Sequence, residues 1–123
     1  MVKMIVSVWR RPEFTPEKFV DRWRNEHAAL VSKYADTLRM RRYVQSHAVP
    51  SKAIDAFAKG RGWARPCDGV TEVWWDSAED LETAFATPEG QEASAVLRED
   101  EAVFVEMSKV TAFLSREHIV FDK

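Results

Sequence analysis

The sequence contains very little cysteine, and its charge is nearly balanced. Cys67 is the single cysteine among 123 residues, so no disulfide can form within the chain and a metal site built on paired cysteines is excluded. Lys and Arg number 18 against 20 Asp and Glu, a formal net charge of −2. Such a balance lacks the positive field that attracts nucleic acids. We therefore expect no nucleic-acid partner, and a reducing cytoplasmic location fits the lack of cysteine.

Long apolar runs and nucleotide-binding or metal-binding motifs are also missing. The apolar N-terminal segment is broken at Arg10, well short of the ~20 residues of a membrane span and shorter than the apolar core of a secretory signal. No glycine-rich phosphate loop, nucleophile-elbow serine or zinc motif occurs, which removes the commonest cofactor-dependent classes. We expect no membrane partner, no cofactor and no metal.

Strand and helix patterns alternate along the chain. Val and Ile at 3–9 predict a first strand. Thr15-Pro16-Glu17 combines an N-cap, a first-turn proline and a first-turn acid, and predicts a helix to about Tyr34. Further strands are predicted at 41–47 and 70–75, helices at 77–85 and 87–97, and a last strand at 103–113 before a tail at 115–123.

The order β-α-β-β-α-β predicts a ferredoxin-like α+β fold, with an antiparallel sheet and helices on one of its faces. The other face would be bare, and pairing it with a second copy would give a homodimer, a dimeric α+β barrel. Residues 1–123 are expected to form a single domain. A variable loop or insertion at about 49–67, with a short helix around 53–59, is of a length that often covers a functional mouth.

His27 is the strongest candidate for chemistry. The apolar stripe of the predicted helix is formed by Phe19, Trp23, Leu30 and Tyr34. His27 occupies the helical step between Trp23 and Leu30, so it should face inward. An imidazole that meets a pocket can act as a general acid or base near neutral pH. If it meets packed side chains instead, it is an ordinary core residue.

The predicted strands supply further candidates. Tyr43, Gln45 and His47 alternate along one strand and so share a face, where they would offer hydrogen-bond donors and acceptors. Glu72 is a substrate-binding candidate that either orients a histidine or forms an ion pair with a residue such as Arg42.

Three weaker candidates remain. Trp74 could face a cavity or a partner subunit. Cys67 would be a nucleophile only if a neighbour ionised its thiol. His118 would complete a metal site with His27 and His47, but the three come from distant segments without a short ligand spacing.

Four segments occur in this order: Phe19-x3-Trp23-Arg24-Asn25-Glu26-His27-Ala28-x-Leu30-Val31, Arg42-Tyr43-Val44-Gln45-Ser46-His47, Asp68-Gly69-Val70-x-Glu72-Val73-Trp74-Trp75-Asp76 and Glu117-His118. Together they resemble the EthD family of the dimeric α+β barrel group. The resemblance implies a ferredoxin-like monomer that pairs through its sheet, with a pocket between sheet and helices. It also implies that the helix histidine, His27, and the strand-end histidine, His47, are the site histidines.

The family and its barrel relatives include cofactor-free lyases, isomerases, dehydratases and cyclases that act on lactones or polyketides, and members without an assigned activity. The leading hypothesis is therefore a cofactor-independent enzyme of this kind, acting by acid-base catalysis on a small cyclic, aromatic or polyketide-like molecule. His27 would be the acid or base. His47, Tyr43 and Gln45 would orient the substrate or stabilise an enolate, and the apolar walls would be Trp23, Tyr34 and Trp74.

Two alternatives stay open. One is a non-catalytic accessory protein that holds a hydrophobic metabolite for a catabolic oxygenase, with the same pocket but dispensable histidines. The other is a haem-binding protein with His27 as the ligand, because the barrel fold is also used for haem degradation. The sequence does not name the substrate or the pathway.

Overall fold

The computed structural model describes all residues from Met1 to Lys123 and contains one four-stranded sheet. The strands are β1 (Val2–Val8), β2 (Arg42–His47), β3 (Gly69–Trp75) and β4 (Thr111–Ser115), in the spatial order β2-β3-β1-β4. All neighbouring pairs are antiparallel. The predicted ferredoxin-like α+β fold is confirmed.

The first helix runs without a break from Pro16 to Tyr34, but its winding changes in the middle. It consists of α1 (Pro16–Arg22), a π-helical turn (Trp23–His27) and α2 (Ala28–Tyr34). Thr15 caps its start by accepting a hydrogen bond of 3.2 Å from the Lys18 backbone N–H. The other helices are α3 (Lys52–Gly60), α4 (Ala78–Ala86) and α5 (Pro88–Phe104), and none of the helices is both long and apolar enough to cross a membrane.

The π-helical turn keeps one row of side chains against the sheet. Phe19, Trp23, His27 and Val31 recur every four residues, and each is at most 4% exposed. In a regular α-helix every four-residue step rotates a side chain by about 40° around the axis, so such a row would turn away from the sheet. The wider turn between Trp23 and His27 takes up this rotation. Because of it, His27 remains on the buried face.

The two faces of the sheet have different surroundings. Alternation along the paired strands puts Met4, Val6, Thr71, Val73 and Tyr43 on the face toward the helices. The opposite face carries Lys3, Arg42, Glu72, Trp74 and Phe113. The hydrophobic core therefore lies between one sheet face and the helices.

The prediction for the end of the chain is wrong in one respect. Instead of a helix at 87–97 and a strand at 103–113, α5 continues to Phe104, a 3₁₀ turn occupies Met107–Lys109, and β4 begins at Thr111. Valine and phenylalanine at 103–105 suggested a strand by composition. The burial of Ala93, Leu97, Asp100 and Phe104 instead follows the helical spacing of four, three and four.

The segment at about 49–67 holds the expected short helix as α3. None of its residues is buried. The helix starts at the N-cap Ser51, whose hydroxyl accepts a hydrogen bond of 3.2 Å from the Ile54 backbone N–H.

Gly69 lies where β3 approaches the π-helical turn. A Cβ there would sit 2.6 Å from the Ser46 backbone oxygen and 2.6 Å from the Trp23 ring. Gly69→Ala is therefore expected to displace the ring and to lower the free energy of unfolding by about 1–3 kcal/mol, measured by urea denaturation. Gly60→Ala is the matched control, because a Cβ there meets nothing within 4 Å. Equal losses in the two variants would contradict this close approach.

Candidate active site

A cavity of about 370 Å³ lies between the helix-facing side of the sheet and the helices, and 15 of its 20 lining residues are hydrophobic. This volume is that of a small-molecule site. The lining includes the exposed residues Arg98, Met107 and Ala112, so the cavity reaches the surface beside them. The other five lining residues are His27, Thr71, Ser94, Arg98 and Glu101, and Tyr43, one of the hydrophobic fifteen, adds a hydroxyl group.

His27 is held from behind by Asp100 of α5. The distance from His27 Nδ1 to Asp100 Oδ2 is 2.8 Å, and the two side chains are 6% and 8% exposed. A carboxylate can only accept, so Nδ1 carries the proton and Nε2 keeps a free lone pair. Asp100 does not line the cavity, whereas His27 does. The basic nitrogen is therefore on the cavity side of the ring.

Arg22 completes the arrangement by hydrogen bonding to the other carboxylate oxygen of Asp100. Burial alone would raise the pKa of Asp100, but the hydrogen bonds from Arg22 and His27 outweigh it and hold that pKa below its ordinary value. Burial lowers the pKa of His27, and the bond to Asp100 offsets only part of this. At neutral pH the carboxylate is ionised and the imidazole is neutral, the state required of a general base.

Glu101 lies on the free side of the imidazole. Its Oε2 is 3.6 Å from His27 Nε2. Burial raises the pKa of Glu101 to about 7, and the charge of Asp100 adds to this effect. A carboxyl group that titrates at neutral pH can take up or release a proton next to His27.

Asp100 and Glu101 were not among the site residues predicted from the sequence. The predicted helix ends at Leu97, so both acids lay outside every predicted element. The signal was the helical period itself, because Asp100 occupies a step of the buried row between Leu97 and Phe104. An acid at an apolar step needs a buried partner.

Glu101 makes stability depend on pH. Its pKa rises on folding from 4.5 to about 7, so between these values the folded state binds more protons than the unfolded state, and stability falls as pH rises through that window. Glu101→Gln removes this loss. Because 36% of the side chain is exposed, water screens its charge. We therefore expect the free energy of unfolding of the variant, relative to that of the wild type, to increase by only about 1 kcal/mol when the pH is raised from 5 to 8.

Urea denaturation at the two pH values measures this gain. Glu99→Gln, at an exposed position of the same helix, is the control and should show no such gain. A Glu101→Gln variant that follows the wild type at both pH values would contradict the raised pKa.

The three polar strand residues are joined by hydrogen bonds. Gln45 Nε2 donates to the Tyr43 hydroxyl at 3.1 Å and to the Trp23 carbonyl oxygen at 2.8 Å, and Gln45 Oε1 is 2.8 Å from His47 Nε2. The His47 ring packs on Trp23 with 4.9 Å between ring centroids. Tyr43 and Trp23 line the cavity, while Gln45 and His47 do not. His47 is therefore connected to the cavity only indirectly, through its contacts with Gln45 and Trp23.

Two residues expected to bind substrate lie away from the cavity, on the opposite face of the sheet. Glu72 pairs with Lys3 at 2.6 Å rather than with Arg42. The Trp74 indole N–H donates to Glu117 at 3.2 Å. The reason is strand alternation, since the residues of β3 on the cavity face are Thr71 and Val73.

Tyr34 is also outside the cavity lining. It packs against the hydrophobic cluster that contains Val31 and Leu38, near the end of α2. The Cys67 thiol contacts the Gly69 carbonyl at 3.2 Å, and His118 lies in the exposed tail. No group of three or more His, Cys, Asp or Glu side chains is placed to hold a metal ion.

Known proteins share this sequence pattern and fold. The model of the EthD domain family matches residues 11–108. An EthD family protein from Bacillus halodurans is 20% identical, with 96% of this chain and 100% of that chain covered and a TM-score of 0.62. A dimeric protein of unknown function with a ferredoxin-like fold, from Bacteroides fragilis, is 13% identical, with coverage of 94% and 95% and a TM-score of 0.59.

A cofactor-independent oxygenase from Streptomyces nogalater is 11% identical, with 99% of this chain and 97% of that chain covered and a TM-score of 0.55. No match was found among curated proteins. At these identities the solved structures share the fold with this chain, and the fold alone does not fix an activity.

Proposed function

Because the chain belongs to the EthD domain family and its cavity contains a histidine paired with a buried carboxylate, we propose that it is a cofactor-independent enzyme of acid-base chemistry. The reaction would be a lyase, isomerase, dehydratase or cyclase step on a small cyclic, aromatic or polyketide-like molecule. One observation carries the proposal: the His27 imidazole is bound at Nδ1 by Asp100 and keeps a free Nε2 beside Glu101.

In this proposal His27 Nε2 accepts a proton from a carbon of the substrate. The resulting imidazolium is stabilised by Asp100, which stays ionised and keeps the ring oriented. The imidazolium then gives its proton to a different carbon in an isomerisation or to the leaving oxygen in a dehydration. Where protonated Glu101 is the donor instead, the imidazolium afterwards passes its proton to the Glu101 carboxylate, which lies 3.6 Å from His27 Nε2, and both groups return to their starting states. Protons balance in either case without a cofactor.

The lining of the cavity supports a largely apolar ligand. Its hydrophobic side chains bury a ring or chain by removing apolar area from water, and its few polar groups, His27 and Glu101 among them, fix the orientation of the ligand. Trp23 contributes an aromatic wall that a flat ligand can pack against.

Binding of a panel of aromatic, lactone and polyketide-like compounds tests the proposal. Quenching of tryptophan fluorescence measures binding to the wild type and to His27→Ala, and product formation is followed in parallel. Turnover in the wild type alone supports the enzyme. Equal binding without turnover in both proteins favours the accessory protein, and a haemin Soret shift that is lost in His27→Ala favours haem binding. Absence of all binding would contradict a ligand site.

We further propose that residues 1–123 act as one domain and that its outer sheet face pairs with a second copy. Phe113 on that face is 60% exposed, and Ile5, its neighbour on β1, is only half-buried. The neighbour from Bacteroides fragilis is described as dimeric. Light scattering should give twice the 14.2 kDa of one chain, and a monomer would contradict the pairing.

A further inference from the structure

The hydrogen bonds behind the cavity restrict what kind of ligand it can take. We propose that Tyr43 donates its hydroxyl proton into the cavity, and that the ligand carries a ketone, lactone or phenolic oxygen that accepts it. This inference rests on the proposed function of the cavity and adds a chemical class for its ligand. It also makes Gln45 and His47 positioning residues rather than catalytic ones.

The polarity of these bonds is set by the Trp23 carbonyl oxygen, which can only accept. Gln45 Nε2 lies 2.8 Å from it, so the NH₂ side of the amide must point toward the helix. The Ala28 backbone N–H bonds to the same oxygen across the π-helical turn. Both lone pairs of the Trp23 carbonyl are thus used, and the Gln45 amide has one orientation.

That orientation decides the role of Tyr43. The second hydrogen on Gln45 Nε2 goes to the Tyr43 hydroxyl oxygen, 3.1 Å away, so this oxygen accepts. This hydrogen bond from Gln45 favours the ionised form of Tyr43, as a bond from a donor does. The phenol proton is therefore left to be donated elsewhere, and the open space next to Tyr43 is the cavity.

Tyr43 is also in the right protonation state to donate. Burial raises the pKa of its hydroxyl, and the hydrogen bond from Gln45 offsets only part of this effect. A neutral phenol in an apolar cavity forms a strong hydrogen bond with a developing oxyanion.

His47 fixes the other end of Gln45. Because Gln45 Oε1 can only accept, His47 must carry a proton on Nε2, 2.8 Å away. His27 carries its proton on Nδ1 instead, where Asp100 accepts it. The two histidines are thus expected to be opposite tautomers.

His27 and Tyr43 would each perform one part of the same reaction step. When His27 Nε2 takes a proton from the carbon next to a carbonyl, the C–H electron pair becomes the C=C bond of an enolate. The carbonyl π electrons move to oxygen, and the Tyr43 O–H stabilises that charge. No oxidant or reductant is needed.

Phenols of increasing acidity serve as probes, because the more acidic ones place more negative charge on the oxygen that Tyr43 would contact. In calorimetric titrations at pH 7 we expect the wild type to bind the acidic phenols most tightly. Tyr43→Phe should weaken this binding by roughly 10- to 100-fold and remove the dependence on acidity. The chain has 2 tyrosines, so Tyr34→Phe, which removes the phenol outside the cavity, is the matched control and should bind as the wild type does.

Gln45→Leu tests the positioning role. We expect it to reduce the dependence on phenol acidity while Tyr43 is still present. Long-range ¹H–¹⁵N spectra should show the Nε2–H tautomer of His47 in the wild type, and the chain's 3 histidines make the signals assignable. The inference is overturned by the Nδ1–H tautomer at His47, by a wild type that binds no phenol, or by a Tyr43→Phe protein that binds acidic phenols as tightly as the wild type.

Failure of the donor and failure of the proposed enzyme are separable. Turnover that requires His27 but is indifferent to Tyr43→Phe removes the donor and leaves the base. Phenol binding that requires Tyr43, in a protein whose turnover survives His27→Gln, removes the base and leaves the donor.

Discussion

Replacing His27 with Gln is expected to lower turnover of a panel substrate by about 10²–10⁴-fold, the contribution of a positioned general base. Glutamine keeps a neutral polar side chain beside Asp100, and Asp100 stays paired with Arg22. The glutamine has no basic lone pair to offer to the substrate. Steady-state kinetics should therefore show the loss in kcat, with little change in the ligand dissociation constant.

His118→Gln is the matched control, since it makes the same exchange in the exposed tail and should leave kcat unchanged. A circular dichroism spectrum and a denaturation midpoint close to those of the wild type establish that the His27 variant folds. Full turnover in folded His27→Gln would remove His27 from the mechanism.

Asp100→Asn is expected to lower both stability and turnover. The Asp100 side chain is 8% exposed and pairs with Arg22, which is 27% exposed, so an amide at this position leaves the half-buried guanidinium with only the exposed carboxylate of Glu26, 3.1 Å away, as a counter-charge. We expect a loss of about 3 kcal/mol in the free energy of unfolding. The amide can also donate to His27 Nδ1, which would move the imidazole proton to Nε2 and block the base.

The stability difference should depend on pH in a defined direction. The pKa of Asp100 is lowered on folding from 3.8, so its carboxylate stabilises the fold above that value, and this contribution is lost as pH falls through the folded pKa. Urea denaturation of the wild type and Asp100→Asn should therefore converge below about pH 4. Asp36→Asn, at an exposed position, should match the wild type. A constant difference down to acid pH would contradict the ion pair.

Local signals in the sequence were sufficient for most of the fold. The Thr15 cap, the Val-rich first strand and the order of strands and helices each have a short-range physical cause, and they led to the right topology. The end of α5 was predicted wrongly because valine and phenylalanine at 103–105 favour a strand by composition. The segment is identified as a helix only by the row of buried residues that includes Asp100 and Phe104, and that burial is a property of the packed structure.

The direction of a site residue could be predicted where a helix carries one apolar stripe. It could not be predicted where the two faces of a strand have similar residues. His27 faced inward because its neighbours at helical spacing are apolar. On β3, both alternating sets contain large apolar residues, so the sequence did not indicate that Glu72 and Trp74 would lie on the outer face. The π-helical turn that keeps His27 and Trp23 in line has no local signature in the sequence.

Deuterium uptake from heavy water tests the base at His27 most directly, because it requires proton removal from carbon but no knowledge of the final product. Cyclic ketones and lactones that bind in the panel are incubated with the wild type, His27→Gln and His118→Gln, and their C–H signals next to the carbonyl are followed by NMR. We expect exchange with the wild type and His118→Gln and background exchange with His27→Gln. Equal exchange with all three proteins, or none above background with any of them, would contradict a general base at His27.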